Sequence, residues 1–322
     1  MKNIVWGMIG CGDVTEVKNG PGLYLAKNSI LKAVTNRTIE KANDWVTRHQ
    51  HGMVYKDVEA ILNDPEIDIV YIATTPDMHA EYAIKCAQAG KHCLIEKPLA
   101  LSYEEGLKIK ETFDAAGKNA YVAFYRRSLN RFNKIAELMK DGIIGTVEAV
   151  NIVRFVKAVE DSESWRMNPE VSGGNIFSET DIHVLDYICS LMGEVENYNV
   201  IKNIFNKSNR VFDSLCMNIM FENGVVGSGQ WLYNCNKELD RIEIIGEKGI
   251  IRFEFFNNKS PISVITEHGQ SEYVIEDSQF VGLNMEQEIV NELNGNGKFS
   301  GDVNAALQTL KITSEILKSQ NI

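Results

Sequence analysis

Short apolar runs alternate with segments of helical periodicity from residue 3 to about residue 123, and this alternation restricts the fold more than any other feature of the chain. It is typical of βαβ units, in which helical crossovers connect the strands of one parallel sheet. Gly90 and Gly117 end two of the helical segments, as C-terminal glycines commonly do. The predicted strands are residues 4–9, 30–35, 67–74, 92–96 and 120–124, and the predicted helices are 41–49, 79–89 and 103–116.

The second half of the chain has longer strand-like runs joined by compact turns, at Glu222-Asn223-Gly224 and Glu247-Lys248-Gly249. Such turns join antiparallel strands. We therefore predict an α/β domain with a doubly wound parallel sheet at residues 1–124 and an α+β domain with a large, mostly antiparallel open sheet at 125–322. The predicted strands here are residues 147–157, 196–204, 215–221, 225–233, 241–245 and 250–256. The predicted helices are 131–140, 178–192 and a C-terminal helix, 303–318, that can pack back on the first domain.

Charge and cysteine content argue against several kinds of partner. The formal net charge of -11 argues against a nucleic-acid-binding protein, which normally presents a basic face. The six cysteines have neither CxxC nor metal-ligand spacing, which favours reduced core residues and no metal site. No apolar run is long enough to span a bilayer, and no export signal precedes the first strand. We therefore expect a cytoplasmic protein with no membrane or nucleic-acid partner.

Gly10 and Gly12 lie directly after the first predicted strand. Glycines at such a turn let backbone N–H groups approach the pyrophosphate of a dinucleotide at the start of the next helix. Thr15 replaces the third glycine of the full fingerprint, so the prediction depends on the position of the motif in the first βαβ unit. The cofactor-binding residues predicted here are Gly10, Gly12, Asp13 and Val14.

The end of the second predicted strand bears on the choice of cofactor. An acidic residue usually stands there in NAD-binding domains and binds the adenosine ribose. No Asp or Glu occurs from Val17 to Ile39, and the turn instead contains Asn36, Arg37 and Thr38. Arg37 can pair with a 2′-phosphate and Asn36 can donate a hydrogen bond to it, so NADP is favoured over NAD.

Two further segments follow strands at the same predicted edge of the sheet, residues 73–79 and the sequence Glu96-Lys97-Pro98. Ligands of open α/β sheets bind beyond the carboxyl ends of the strands. Lys97 is therefore expected to face the ligand, where its ammonium group can stabilise charge on a substrate oxygen. The cofactor-binding residues predicted in these segments are Thr74, Thr75, His79, Glu96 and Lys97.

Together with Tyr125-Arg126-Arg127, Trp165-Arg166 and Gly173-Gly174 further along the chain, these motifs resemble those of the Gfo/Idh/MocA oxidoreductases, the glucose-fructose oxidoreductase and inositol dehydrogenase family. The resemblance covers nearly the whole chain. It implies a Rossmann domain, a second α/β domain whose open sheet often forms homodimers or homotetramers, and a sugar, inositol or polyol substrate. It also implies substrate contacts at Tyr125, Arg127, Trp165 and Arg166.

The segment from Gly173 to His183 contains the family's remaining landmark. The family usually has glycines, an Asp and, four residues later, a His; here His183 matches, Glu179 stands in place of the Asp, and Asp181 replaces a small residue. Residues four apart share one face of an α-helix, so Glu179 and His183 can act together. His183 suits proton transfer, and Lys97 suits polarisation of the substrate oxygen. Glu179 can orient a neighbouring group, and Asp181 is expected to be a further substrate contact. Whether Glu179 or Asp181 fills the family's acidic role stays open.

Three functions fit these residues. The first is an NAD(P)-dependent dehydrogenase or reductase that acts on a CH–OH group. The second is a redox-neutral enzyme that processes glycosides by oxidising and re-reducing them within one cycle. The third is a non-catalytic regulator that senses the dinucleotide, because fold alone does not determine function. Lys97 and His183 argue against the regulator, whereas the departure from the family pattern at Glu179 and Asp181 keeps it open.

Overall fold

The computed structural model describes residues 1–157, 168–172, 176–206 and 211–319. The chain forms two compact units. The first comprises Met1–Leu129 and Ser278–Lys311, and the second comprises Asn130–Asp277 and the segment from Ile312 onward. The division after residue 124 remains a prediction.

The first unit contains a six-stranded parallel sheet with the order β3-β2-β1-β4-β5-β6, which confirms the predicted doubly wound fold. Its central strands are almost entirely buried apolar segments, as expected of a sheet covered on both faces. The strand order reverses at β1, which lies between β2 and β4. The strands are β1 (Ile4–Ile9), β2 (Ser29–Thr35), β3 (Met53–Val54), β4 (Ile69–Ile72), β5 (His92–Ile95) and β6 (Ala120–Val122).

Six helices connect these strands. The three predicted helices are present within two residues of their predicted ends, and α6 begins at an N-cap Ser102 whose hydroxyl accepts a hydrogen bond from the Glu105 N–H group. The short elements β3, α1, α2 and α4 were not predicted, because two to five residues are too few to show a period. The helices are α1 (Asp13–Val17), α2 (Gly22–Leu25), α3 (Ile39–His49), α4 (Val58–Leu62), α5 (His79–Gln88) and α6 (Tyr103–Ala116).

The second unit contains an eight-stranded sheet with the order β14-β13-β12-β11-β7-β10-β9-β8. Every neighbouring pair is antiparallel except β7 and β10, which are parallel. Both predicted turns join hairpins, β9 to β10 and β11 to β12. The strands are β7 (Val147–Lys157), β8 (Val195–Asn203), β9 (Ser214–Phe221), β10 (Val226–Cys235), β11 (Leu239–Gly246), β12 (Gly249–Phe253), β13 (Ile262–Thr266) and β14 (Gly269–Tyr273).

One face of this sheet is buried and much of the other is exposed. Along β9, Leu215, Met217 and Ile219 are buried while the alternate residues Cys216 and Met220 are exposed. Aromatic contacts show that helices cover the buried face, since rings of α7 and α9 pack on Phe253 of β12. The described part of this unit contains helices α7 (Asn130–Lys140), α8 (Pro169–Ser172) and α9 (Ile182–Met192), and a π-helical turn, Phe177–Asp181, precedes α9.

The chain ends in two helices, α10 (Leu283–Leu293) and α11 (Val303–Lys318). α10 was not predicted, and its residues Met285, Ile289 and Val290 join the hydrophobic core of the first unit. Among the described residues, no helix has the length and apolar character needed to cross a membrane. All six cysteines are free.

Candidate functional site

The parallel sheet brings together the predicted cofactor segments that follow its strands. Backbone hydrogen bonds continue beyond the strand ends: the Gly10 N–H donates to the Thr35 carbonyl at 2.9 Å, the Ala73 N–H to Ile9 at 2.8 Å, and the Glu96 N–H to Ile72 at 3.0 Å. The turn at Gly10, the end of β2, the segment after β4 and Glu96 are therefore neighbours at one edge.

The two glycines of the first turn meet different requirements. Gly10 has a φ of +102°, and a Cβ atom there would lie 2.4 Å from the Ala73 carbonyl oxygen. A Cβ atom on Gly12 would meet no atom within 4 Å, so its backbone is open to an approaching group. The Thr15 hydroxyl, at the position of the missing third glycine, donates to the Gly12 carbonyl at 2.7 Å and closes the turn. This geometry fits a dinucleotide pyrophosphate.

The turn after β2 exposes Arg37. Within the described part of the chain its side chain makes no hydrogen bond or ion pair, and Asn36 Oδ1 accepts a hydrogen bond from the Thr38 N–H at 2.8 Å. Arg48, on α3, is held instead by both carboxylate oxygens of Glu16, at 2.7 and 2.8 Å. Arg37 is thus available to an anionic group.

Cys11, between the two glycines, is not a reactive thiolate. Burial raises the pKa of its thiol to about 12, against a smaller lowering by the hydrogen bond with Asn36. The thiol therefore stays protonated at neutral pH.

His79 connects two of the edge segments. Its side chain is fully buried, with Nδ1 2.8 Å from the Pro98 carbonyl oxygen and Nε2 3.2 Å from that of Thr74. Burial lowers the pKa of the imidazole, and a neutral ring has a single N–H, so the shorter contact to Pro98 is the hydrogen bond that we assign. The ring therefore holds these two segments together, and the predicted cofactor contact of His79 stays a prediction.

Lys97 follows Glu96 directly and is half-buried, whereas the Glu96 carboxylate is buried. The Lys97–Pro98 peptide is cis. Thr74 and Thr75 are half-buried, and the Thr74 hydroxyl donates to the Thr75 carbonyl at 3.3 Å. These residues follow β4 and β5, as predicted, and their cofactor contacts stay predictions.

Tyr125 and Arg127 lie on a 3₁₀ turn that follows β6. Both are half-buried, and Arg127 donates from Nη1 to the Ser300 carbonyl at 2.9 Å. The guanidinium of Arg126 lies 5.6 Å from the centre of the Tyr125 ring. Arg127 thus has at least one structural contact, and its predicted substrate contact stays a prediction.

In the second unit, Glu179 and Asp181 lie on the π-helical turn Phe177–Asp181, and His183 lies in the first turn of α9. Glu179 is half-buried and His183 is 5% exposed. The predicted shared face of Glu179 and His183 assumed regular α-helix. Because a π turn has more residues per turn, the spacing of four does not by itself align these two side chains.

Asp181 is fully buried. Its Oδ2 accepts a hydrogen bond from the Tyr233 hydroxyl at 2.7 Å, and its Oδ1 lies 3.4 Å from Nε of Arg154. Burial raises the pKa of the Asp181 carboxyl to about 6, while Arg154 and Tyr233 lower it. The carboxyl therefore has two internal partners, and its predicted substrate contact stays a prediction.

Comparisons with known proteins agree with this geometry. The family profile "Oxidoreductase family, NAD-binding Rossmann fold" matches residues 4–124, and "GFO/IDH/MocA C-terminal domain" matches residues 132–252. The chain is 37% identical over 266 residues to Oxidoreductase P35 of Formosa agariphila, a match that spans 81% of this chain and 82% of that protein. The chain belongs to the Gfo/Idh/MocA oxidoreductase family.

The predicted enzyme class and NAD(P)-binding Rossmann domain of the Gfo/Idh/MocA family are thereby confirmed. The chain is also 30% identical over 188 residues to scyllo-inositol 2-dehydrogenase (NADP(+)) of Bacillus subtilis, a match that spans 58% of this chain and about half, 51%, of that protein. Among solved structures, levoglucosan dehydrogenase in complex with NADH and L-sorbose has the same fold, with a TM-score of 0.84 and 22% identity over 98% of this chain and 96% of that one.

Some landmarks of the Gfo/Idh/MocA family cannot be placed. Trp165, Arg166 and the pair Gly173-Gly174 lie outside the described residues.

Among the described residues, no three His, Cys, Asp or Glu side chains form a group that could hold a metal ion.

Sequence reasoning missed the buried polar residues that contact Glu96 and Asp181. Asn19 and Tyr71 contact Glu96, and Arg154 and Tyr233 contact Asp181. A polar residue inside an apolar run was the signal available for Tyr71, Arg154 and Tyr233, but it does not reveal the partner.

The two glycines give a matched test of the dinucleotide turn. Gly10→Ala should lower the melting temperature by roughly 5 °C, because the positive φ and the contact with Ala73 strain any side chain there. Gly12→Ala should leave the melting temperature unchanged but weaken NADPH binding at least about ten-fold, because its methyl group occupies the space of the pyrophosphate. Thermal unfolding and fluorescence titration with NADPH measure both. Unchanged NADPH affinity of Gly12→Ala would place the pyrophosphate elsewhere.

Proposed function

We propose that this protein is an NADP-preferring dehydrogenase or reductase that acts on a CH–OH group of a sugar, inositol or polyol. The observation that carries the proposal is the edge of the first unit, where the open turn at Gly12 and the half-buried Lys97 follow strands of one parallel sheet. Family membership supports the reaction class, and the named activity of the Bacillus subtilis relative supports the inositol-like substrate class and the use of NADP.

The proposed reaction transfers a hydride from carbon and a proton from the hydroxyl group. When bound, the nicotinamide exchanges a hydride with the substrate carbon. In the oxidative direction His183 takes the hydroxyl proton as the C–H hydride leaves, which yields a carbonyl, and it returns that proton in the reductive direction. The Lys97 ammonium stabilises the negative charge that develops on the oxygen. Both roles follow the family motifs that these two residues match.

Glu179 is the acidic residue that we assign to the family's Asp position. The Asp181 carboxylate is fully buried and held by Tyr233 and Arg154, whereas the Glu179 side chain is half-buried. Glu179 would orient a substrate hydroxyl or a neighbouring group.

The substrate class is tested by nicotinamide absorbance. The purified protein is mixed with NADP or NAD, separately, and with a panel of aldoses, inositols, polyols and sugar phosphates. Net reduction with one compound establishes the dehydrogenase. NADPH binding without turnover in either direction would contradict the dehydrogenase and favour the redox-neutral enzyme or the regulator.

With a substrate in hand, Lys97→Met and His183→Asn should each lower kcat by about 100-fold or more, since each removes a group that acts on the reacting oxygen. NADPH affinity and the melting temperature of His183→Asn should stay near those of the wild type. Matched controls are Lys56→Met and His268→Asn, whose side chains are 83% and 86% exposed. Wild-type kcat in either test variant would remove that residue from the mechanism.

The preference for NADP is assigned to Arg37. Arg37→Ala should weaken NADP binding by about 10- to 100-fold, the effect of one charge-assisted hydrogen bond, and should leave NAD binding nearly unchanged. The ratio of the two dissociation constants, measured by calorimetry, reports this, and Lys56→Ala controls for a lost surface cation. Equal loss for NAD and NADP would contradict recognition of the 2′-phosphate.

We also propose that a second copy of the chain covers the exposed face of the eight-stranded sheet. Met220 and Val226 pair across β9 and β10 on that face, and both are exposed. Val226→Glu should shift the mass in solution from a homodimer or homotetramer toward the monomer, because it places charges in the covered face. Light scattering measures this, and the exposed Val274→Glu is the control. A monomeric wild type would contradict the proposal.

A further inference from the structure

Glu96 is the centre of a buried hydrogen-bonded cluster in the first unit. Its Oε1 accepts hydrogen bonds from Asn19 Nδ2 at 2.5 Å and from the Tyr71 hydroxyl at 2.6 Å. Its Oε2 accepts the backbone N–H of Lys97 at 3.3 Å. One carboxylate therefore joins β4, the end of β5 and the chain that follows α1.

These contacts link the two parts of the proposed site. The Asn19 N–H donates to the Val14 carbonyl at 3.0 Å, so Asn19 ends the segment that begins at Gly12. The Glu96 carboxylate thus connects the Gly12–Asn19 segment to the backbone of Lys97 by hydrogen bonds.

A second carboxyl lies beside this cluster. Glu286, on α10, is fully buried, and neither of its oxygens has a hydrogen-bond partner among the described residues; the same holds for Asn19 Oδ1. A Cβ atom on Gly282 would lie 2.4 Å from Asn19 Oδ1 and 2.7 and 2.8 Å from the Glu286 oxygens. The three oxygens therefore converge on Gly282.

Three oxygens without a donor are not stable together in the interior of a protein. The Asn19 amide donates to Glu96 from Nδ2, which leaves its Oδ1 on the other side as an acceptor. A proton on Glu286 supplies the missing donor. Glu96, with three donors around its carboxylate, is the member able to hold the negative charge.

We propose that Glu96 is a charged positioning residue for Lys97 and the Gly12–Asn19 segment, and that Glu286 is a neutral carboxylic acid whose hydroxyl donates to Asn19 Oδ1. Burial raises the pKa of Glu286 well above its ordinary value, its own backbone N–H lowers that pKa by less, and the charge of Glu96 raises it further. The positioning of Lys97 rests on the proposed function, whereas the neutral state of Glu286 does not.

The first test is the pH dependence of stability. A carboxyl whose pKa is raised by folding stabilises the protein fully below its unfolded pKa and progressively less as the pH rises toward its folded pKa. Among the described residues, the titratable groups that face Glu286 are Glu96 and Tyr71, while the adjoining segments present Gly22 and Gly282. The wild type should therefore lose more melting temperature between pH 5 and 8 than Glu286→Gln, by at least about 3 °C.

The exposed Glu111→Gln on α6 is the matched control and should keep the wild-type pH dependence. If Glu286→Gln has the same pH dependence as the wild type, Glu286 is not a neutral acid and the proposal is overturned. The wild type and Glu286→Gln are also melted in K⁺ or Na⁺ at constant ionic strength. If the cation raises the melting temperature of the wild type but not that of Glu286→Gln, the proposal is overturned, because a cation and not a proton would then join the oxygens.

The second test uses NADPH as the probe. Glu286→Gln keeps a donor for Asn19 and should bind NADPH within about two-fold of the wild type. Glu286→Leu should bind NADPH about five-fold more weakly, because binding must then also order the Gly12–Asn19 segment. Equal affinities of the two variants would contradict the bond to Asn19. If Glu286→Leu does not fold, the Glu286→Gln results still decide the neutral state.

Glu96→Gln tests the positioning of Lys97. Once a substrate is known, this variant should lower kcat by about ten-fold or more while KM for that substrate changes less, since Lys97 acts on the developing charge. Unchanged kcat would overturn the positioning role. A wild-type protein that binds neither NADPH nor NADH would defeat the proposed function, and the pH test of Glu286 would still stand.

Discussion

The parallel pairing of β1 with β2 and β4 is the constraint on which the candidate cofactor site depends. Parallel strands present their carboxyl ends at one edge, and here the backbone hydrogen bonds continue past those ends, from Gly10 to Thr35 and from Ala73 to Ile9. The same pairing brings the Ala73 carbonyl against Gly10 and leaves Gly10 no room for a side chain. The site segments are thus held by the sheet itself.

Each unit places a buried carboxyl next to a residue of the proposed chemistry. Glu96 precedes Lys97 and is held by Asn19 and Tyr71, and Asp181 lies two residues before His183 and is held by Tyr233 and Arg154. Buried charges are costly unless they are paired or hydrogen-bonded, so each carboxyl fixes the partners around it. Glu96 thereby holds the backbone at Lys97, and Asp181 holds the end of the π turn that leads into α9.

Much of the fold could be predicted because its signals are local. The strands from β1 to β12, apart from the two-residue β3, follow from apolar periodicity and turn residues. The parallel pairing of β7 with β10 could not be predicted, because it depends on which strands meet after a long connection. Helix α10 could not be predicted either. Its residues Met285, Ile289 and Val290 complete a core whose other members include Ile4 and Tyr121, far away in the chain.

The sequence by itself determined the family, the glycine turn, and the positions of Arg37, Lys97 and His183, because these are properties of residue type and spacing. The tertiary structure decided what the side chains around them do. It gave His79 two carbonyl neighbours, replaced regular α-helix by a π turn at Glu179, and enclosed Asp181 and Glu286. The reason is physical: burial and hydrogen-bond partners are set by segments distant in the chain, and no local pattern specifies which of them will meet.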